Sequence, residues 1–131
     1  MNIQNNLILH QAAGHLTLAC HGAAYKAGWW HDTKTGEPVT DNPMNFAKCL
    51  MLITSELAEA MEADRKNLMD DKLPHRHGRE VEIADAIIRL FDLCGDYGMD
   101  IGGAIVEKLA YNATRADHRI ENRIAEGGKA Y

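Results

Sequence analysis

Apolar residues recur at helical spacing along most of the chain, and short segments rich in Gly, Pro, Asp or Thr interrupt them. The first predicted helix runs from about Asn5 to Lys26, and Gly28 follows it as a natural stop. Its apolar residues recur at spacings of four, three and four, which places them on one helical face: Leu9, Ala13, Leu16 and Cys20. We expect this face to pack against the rest of the protein.

A polar loop from His31 to Pro43 separates the first helix from the second. Asn42 is suited to cap the second helix, and Pro43 is suited to its first helical position. The helix should continue to about Leu68. Its predicted core stripe consists of Phe46, Leu50, Ile53, Leu57 and Ala60.

The third predicted helix runs from about Arg79 to Tyr97, after a break from Asp70 to Gly78. Apolar residues occupy most of its circumference, which is typical of a helix that is buried on several sides. These residues are Val81, Ala84, Ile87, Ile88, Phe91 and Cys94.

Gly98 should end the third helix, and Asp100 can cap a fourth that runs to about Ile124. Strand signals are weak throughout, because no sustained alternation and no Asn-Gly hairpin occur. The pattern therefore predicts an all-α fold, an antiparallel bundle of four main helices in a single domain over residues 1–131.

Charge and cysteine content narrow the classes of function. The net charge of −5 argues against non-specific binding to a nucleic-acid polymer, which depends on neutralising phosphates with Lys and Arg. No apolar run is long enough to span a membrane, and the N-terminus has no basic segment of the kind that opens a secretory signal. Three isolated cysteines without a CxxC pair indicate reduced core residues in a cytoplasmic protein: Cys20, Cys49 and Cys94.

The second helix carries two carboxylates three residues apart, which therefore share a face. Glu56 falls within the apolar arc, where an unpaired carboxylate is costly, and Glu59 lies at the edge of that arc. Glu62 falls on the far side, and we expect it to face solvent.

The third helix carries a second pair at the same spacing, Glu82 and Asp85, on a polar strip that Arg89, Asp92 and Asp96 extend. If the second and third helices pack together, four carboxylates can converge, and such a cluster requires cations. Oxygen ligands without His or Cys indicate Mg²⁺ or Mn²⁺. The alternative is a solvated face on which Asp85 and Arg89 form an i,i+4 salt bridge.

Two further groups of residues suggest a phosphorylated ligand with an aromatic base. Lys108, Asn112 and Arg115 form a compact patch on the predicted fourth helix, and Lys and Arg are phosphate ligands. The alternative is a helix with exposed basic residues. Trp29 and Trp30 follow the first helix, and one of them can stack on a nucleobase. Either can instead plug the end of the bundle.

The carboxylate array, Glu56-x-x-Glu59 followed after 22 residues by Glu82-x-x-Asp85, resembles the metal motif of the MazG-like, all-α nucleoside triphosphate pyrophosphohydrolases. The segment from Lys108 to Arg115 is similar to that family's third motif. The resemblance implies a homodimer or homotetramer, Mg²⁺ held by the four carboxylates, and cleavage between the α and β phosphates. Many members carry a further Glu where this chain has Ser55, which leaves the number of metal ions open.

The sequence thus predicts a Mg²⁺-dependent enzyme that hydrolyses ribo- or deoxynucleoside triphosphates to the monophosphate and pyrophosphate. The four carboxylates would be its catalytic metal ligands, with Lys108 and Arg115 offsetting phosphate charge and Asn112 orienting the phosphate chain. Base preference, sugar preference and biological role stay open. One alternative is a non-catalytic helical oligomerisation module. Another is a di-metal carboxylate bundle of other chemistry, although the Glu-x-x-His pairs of such bundles are absent.

Overall fold

The computed structural model describes residues 3–39 and 45–129, and these residues form an all-α protein with four main helices, as predicted. Within the described residues no strand occurs, only isolated bridges between His31 and Pro38 and between Met69 and His77. None of the described helices combines the length and apolar character needed to cross a bilayer. The helices are α1 (Ile3–Lys26), α2 (Asn45–Lys66), α3 (Gly78–Asp96), α4 (Ile101–Thr114) and the short α5 (Ile120–Arg123), with a 3-10 turn at Ala116–His118 before α5.

The chain divides into two compact units. The central unit, His15–Met99, contains the second half of α1 together with α2 and α3. The terminal unit comprises Met1–Gly14 and Asp100–Tyr131, and it contains the first half of α1, α4 and the turns that follow α4. The predicted carboxylate pairs both belong to the central unit, whereas the predicted phosphate-binding patch belongs to the terminal unit.

Helices α2 and α3 pack against each other in antiparallel orientation. Residues near the end of α2 contact residues near the start of α3, and the reverse holds at the other end of the pair. Ala63 contacts Gly78, Glu56 accepts a hydrogen bond from Arg89, and the Phe46 ring packs edge-on against the Tyr97 ring. The crossing near the start of α3 is close, because a Cβ on Gly78 would lie 3.0 Å from the Cβ of Ala63. This pairing places residues of both carboxylate motifs opposite each other.

The core of the central unit is small and centres on Trp30, which is 5% exposed. Asp92 Oδ1 accepts hydrogen bonds from Trp30 Nε1 at 2.7 Å and from His21 Nδ1 at 2.9 Å, so Asp92 ties the end of α1 to α3. α1 approaches α3 closely at Gly95, where a Cβ would overlap the His21 side chain. The remaining core cluster consists of Ile53, Ala86 and Leu93, with Ala24, Phe46 and Cys49 packed around it.

Several residues predicted to be buried are exposed instead. On α2 the prediction is confirmed for Ile53 and Ala60, but Leu50 and Leu57 are about half exposed. The prediction that the third helix is buried on several sides is wrong for the single chain. Of its six predicted core residues only Cys94 is buried, because α2 covers one side of α3 and α1 approaches it near Gly95.

The helix ends agree with the predictions except at α4. Gly28 and Gly98 follow their helices with positive φ, and Asp100 Oδ1 caps α4 by accepting from the Gly103 N–H at 2.9 Å. The predicted continuation of the fourth helix to about Ile124 is wrong, since the backbone of Arg115 is extended. Arg115 forms a two-point ion pair with Asp117 (2.9 and 2.5 Å), which favours a turn over continued helix. The predicted cap Asn42 and the predicted first helical residue Pro43 lie outside the described residues.

Candidate metal centre

Three carboxylates from the two predicted motifs meet between α2 and α3. One oxygen from each of Glu56, Glu59 and Glu82 lies within 4.8 Å of the others. Glu56 and Glu59 are neighbours on α2 one turn apart, and the antiparallel pairing brings Glu82 from the first half of α3 opposite them. The structure thus brings together three of the four predicted ligands.

Asp85, the fourth predicted ligand, lies one turn beyond Glu82 on α3 and is half-buried at the border of the cluster. Burial raises the pKa of its carboxyl group, and the negative charge of Glu56 raises that pKa further, while Arg89 opposes the shift. Asp85 is therefore electrostatically part of the same group of carboxylates. It does not belong to the set of three whose oxygens converge.

Glu56 is the most buried member of the cluster, with 8% exposure, and it is paired. Arg89 reaches across from α3, and its Nε donates a hydrogen bond of 2.7 Å to Glu56 Oε1. The sequence placed Arg89 on the same strip and suggested a pair with Asp85, but it did not reveal this link between helices. The pair explains how a carboxylate can lie in the apolar arc of α2, since a buried charge needs a partner.

Glu82 shows the electrostatic strain of the cluster most clearly. Its pKa rises from the ordinary 4.5 to about 6, first because of burial and then because of the negative charge of Glu59. A hydrogen bond from the protonated Glu82 carboxyl to Glu56 raises the pKa further. Since like charges at close range disfavour ionisation, a cation bound among these oxygens would relieve the strain.

A cleft of about 280 Å³ adjoins the cluster and is strongly acidic. Glu59 and Glu82 form part of its wall, and Glu62, Asp70 and Asp71 complete the acidic lining. Asp70 is buried, and its Oδ1 accepts hydrogen bonds from the backbone N–H groups of the residues two and three positions later. Sequence reasoning assigned Asp70 to a loop and missed this wall, because its approach to α3 depends on how the loop folds back.

The donor set fits a hard divalent cation. All three converging ligands are carboxylates, and neither His nor Cys belongs to the set. Oxygen-only sites of this kind suit Mg²⁺, Mn²⁺ or Ca²⁺ and do not suit the softer ligand preferences of zinc or copper. The cluster could therefore hold a metal ion.

The predicted phosphate-binding residues lie in the second half of α4 and directly after it, in the terminal unit. Lys108 is exposed, and its Nζ lies 4.9 Å from the centroid of the Tyr111 ring. Asn112 Oδ1 is buried and accepts no hydrogen bond from the described residues. Arg115 lies one residue beyond α4 and is paired with Asp117. That this patch faces the carboxylates stays a prediction.

The two tryptophans differ in their surroundings. Trp30 is buried in the core and its indole N–H donates a hydrogen bond to Asp92, so it has a structural role, as the alternative interpretation expected of one of the two tryptophans. Trp29 is 80% exposed and presents its ring to solvent. Stacking of a nucleobase on either ring stays a prediction, and Trp29 is the one with a free face.

The comparisons with known proteins leave the family open. No family model, no curated protein and no solved structure matches this chain. The family assignment therefore remains a resemblance carried by the three sequence motifs.

Proposed function

We propose that this protein is a Mg²⁺-dependent hydrolase that cleaves nucleoside triphosphates between the α and β phosphates, releasing the monophosphate and pyrophosphate. The observation that carries the proposal is the convergence of Glu56, Glu59 and Glu82 within 4.8 Å on two facing helices. The order and spacing of these residues resemble the metal motif of the MazG-like enzymes, which supports the assignment of substrate and reaction. Mn²⁺ is the natural substitute ion for such a site.

Each carboxylate has a distinct part in this proposal. Glu56, held in place by Arg89, would ligate the ion from the buried side, whereas the exposed Glu59 is the member that solvent and substrate reach first. Glu82 closes the site from α3, and Asp85 at the border is available as a fourth ligand. A bound Mg²⁺ would offset the charge of phosphate oxygens and lower the pKa of a bound water molecule.

The substrate would be held by residues outside the carboxylate cluster. Lys108 and Arg115 would offset negative charge on the phosphate chain, and the side-chain NH₂ group of Asn112 would orient it by donating hydrogen bonds to phosphate oxygens. Arg115 would exchange its present carboxylate partner, Asp117, for a phosphate. Trp29 has the exposed ring on which a base can stack.

A non-catalytic oligomerisation module is the second candidate. It is favoured by one observation, the large apolar side chains that α2 and α3 leave exposed. A module of this kind requires no metal, and loss of a carboxylate would alter no activity. The two candidates therefore differ in their dependence on divalent ions.

The test is a panel of ribo- and deoxynucleoside triphosphates incubated with Mg²⁺, with pyrophosphate and monophosphate both quantified. We expect equal amounts of the two products from at least one substrate, and no turnover with EDTA or in Glu59→Gln. Glu80→Gln is the matched control, since Glu80 is exposed on α3 and pairs with Arg76 outside the cluster. Orthophosphate as the sole primary product, or a fully active Glu59→Gln, would overturn the proposal.

A further inference from the structure

The cleft beside the candidate metal centre has two basic side chains at the end of α2. Glu62 lines this cleft together with Glu59 and Glu82. The Glu62 carboxylate pairs with two cations of the last turn of α2, Arg65 (Nη2 to Oε2, 2.9 Å) and Lys66 (Nζ to Oε1, 2.6 Å). We name Arg65 and Lys66 the cationic corner.

The cationic corner carries more positive charge than its carboxylate partner offsets. Glu62 offers one negative charge to two cations, and hydrogen bonds from Lys66 and Arg65 lower the pKa of its carboxyl group. One positive charge is left in excess within this group. Both basic side chains are more than half exposed, so the present ion pairs contribute little stability and can be exchanged for another anion.

The cationic corner also lies at a suitable distance from the metal centre. Glu62 follows Glu59 by three residues, which places it about 4.5 Å further along α2 on the same side. A triphosphate whose α phosphate is held at Glu59 and Glu82 extends its terminal phosphate by about one helical turn. Because the charged groups of Arg65 and Lys66 contact Glu62, they lie where that terminal phosphate would be.

The opposite direction along α3 is unfavourable for phosphates. The polar strip continues there with Asp92 and Asp96. Burial raises the pKa of the Asp96 carboxyl group, and the charge of Asp92 raises that pKa further, while His21 opposes the shift. Arg89 on that side already pairs with the buried Glu56. A phosphate chain should therefore run from the metal centre toward the end of α2.

We propose that the cationic corner binds the two terminal phosphates of the substrate, which leave together as pyrophosphate. This inference rests on the proposed function and adds two positioning residues to it. Water attacks the α phosphorus and gives up a proton, the bond from that phosphorus to the bridging oxygen breaks, and the departing pyrophosphate takes the electron pair. Arg65 and Lys66 offset the negative charge that develops there, and the Arg65 guanidinium can donate two parallel hydrogen bonds.

A simpler role exists for these residues, because Lys and Arg in the last turn of a helix offset the helix dipole. In that role alone, their charge has no bearing on pyrophosphate. The two interpretations therefore differ in the affinity of the protein for inorganic pyrophosphate in the presence of Mg²⁺.

The test is calorimetric titration of the full-length protein with inorganic pyrophosphate and Mg²⁺, which requires no turnover. We expect saturable binding by the wild type and roughly 10-fold lower affinity in Lys66→Gln, because a charge-assisted hydrogen bond is lost. Lys66→Arg keeps the charge and should retain most of the affinity. Lys48→Gln is the matched control, because Lys48 is exposed on the same face of α2 about five turns earlier. It should bind pyrophosphate as the wild type does.

A positioning role makes two further demands on Lys66→Gln. Its Mn²⁺ affinity should equal that of the wild type, because Lys66 is outside the set of converging ligands. With a nucleoside triphosphate as substrate, its KM should rise and pyrophosphate should become a weaker product inhibitor.

Equal pyrophosphate affinity in Lys66→Gln and Lys48→Gln, or absence of Mg²⁺-dependent pyrophosphate binding by the wild type, would overturn the inference. Either result would leave the proposed function standing if the substrate panel shows pyrophosphate release. An inactive wild-type protein whose pyrophosphate binding depends on Lys66 would refute the proposed function and support the pyrophosphate site.

Discussion

Replacing Glu82 with Gln should stabilise the metal-free protein and abolish its response to metal. The folded-state pKa of Glu82 is about 6 against an ordinary value of 4.5, so folding favours the protonated form. The stability that this group contributes is complete below the ordinary pKa and is lost as the pH rises through about 6. Above that pH the ionised group costs up to about 2 kcal/mol.

Gln is neutral at every pH and can still donate a hydrogen bond to Glu56, so the variant should escape this cost. At pH 8 with EDTA its free energy of unfolding should exceed that of the wild type by about 1–2 kcal/mol, which corresponds to a rise of roughly 3–8 °C in melting temperature. At pH 4.5 the two proteins should differ little. Adding Mg²⁺ should stabilise the wild type, because an ion that binds only the folded state raises its stability.

The assay is thermal unfolding of both proteins at the two pH values, with EDTA and with Mg²⁺. Glu80→Gln is the control on the same helix, because Glu80 forms an exposed pair with Arg76 and should change stability by less than about 0.5 kcal/mol. A Glu82→Gln protein that is less stable than the wild type with EDTA at pH 8, or that Mg²⁺ stabilises as much as the wild type, would refute the electrostatic argument.

Two further predictions concern the carboxylate cluster, and a third concerns the core beside it. Arg89→Met should lower the free energy of unfolding of the metal-free protein by about 1–3 kcal/mol, because it leaves the buried Glu56 carboxylate unpaired. Mg²⁺ should stabilise this variant more than it stabilises the control Arg79→Met, which loses only an exposed ion pair with Asp64. Equal effects of Mg²⁺ on the two variants would contradict this. Mn²⁺ affinity of the wild type, measured by titration, should increase from pH 5 to pH 7 as Glu82 loses its proton, and a flat profile would count against the shared site. Asp92→Ala should cost about 1–3 kcal/mol in thermal unfolding by removing the acceptor of buried Trp30, whereas no change would show that the bond is dispensable.

Helical periodicity predicted the fold well because the helix ends depend on local signals. Gly28 and Gly98 adopt the positive φ that ends a helix, and the Asp100 side chain caps the next one, and each of these can be read from a few neighbouring residues. The break at Arg115 was missed because it depends on an ion pair with Asp117, and nothing in the periodicity of the segment favours that pair over continued helix.

The candidate site was predictable in part for the same reason. Spacing along a helix placed Glu56 toward the apolar side and put Glu82 and Asp85 on one strip, so convergence required only that α2 and α3 pair. The link from Arg89 to Glu56 depends on the register between the two helices, which the sequence does not specify.

The burial of α3 was overestimated because periodicity shows which sides of a helix are apolar, but it does not show which other elements pack against those sides. Ile87 and Ile88 were predicted to be core residues, and they are 42% and 46% exposed.

Direct titration of the wild-type protein with Mn²⁺, followed by electron paramagnetic resonance, tests the central claim that Glu56, Glu59 and Glu82 form a metal site. We expect saturable binding at neutral pH that Mg²⁺ displaces, and a large loss of affinity in Glu56→Gln and Glu82→Gln but not in Glu80→Gln. Absence of saturable binding by the wild type, or equal affinity in all four proteins, would contradict it.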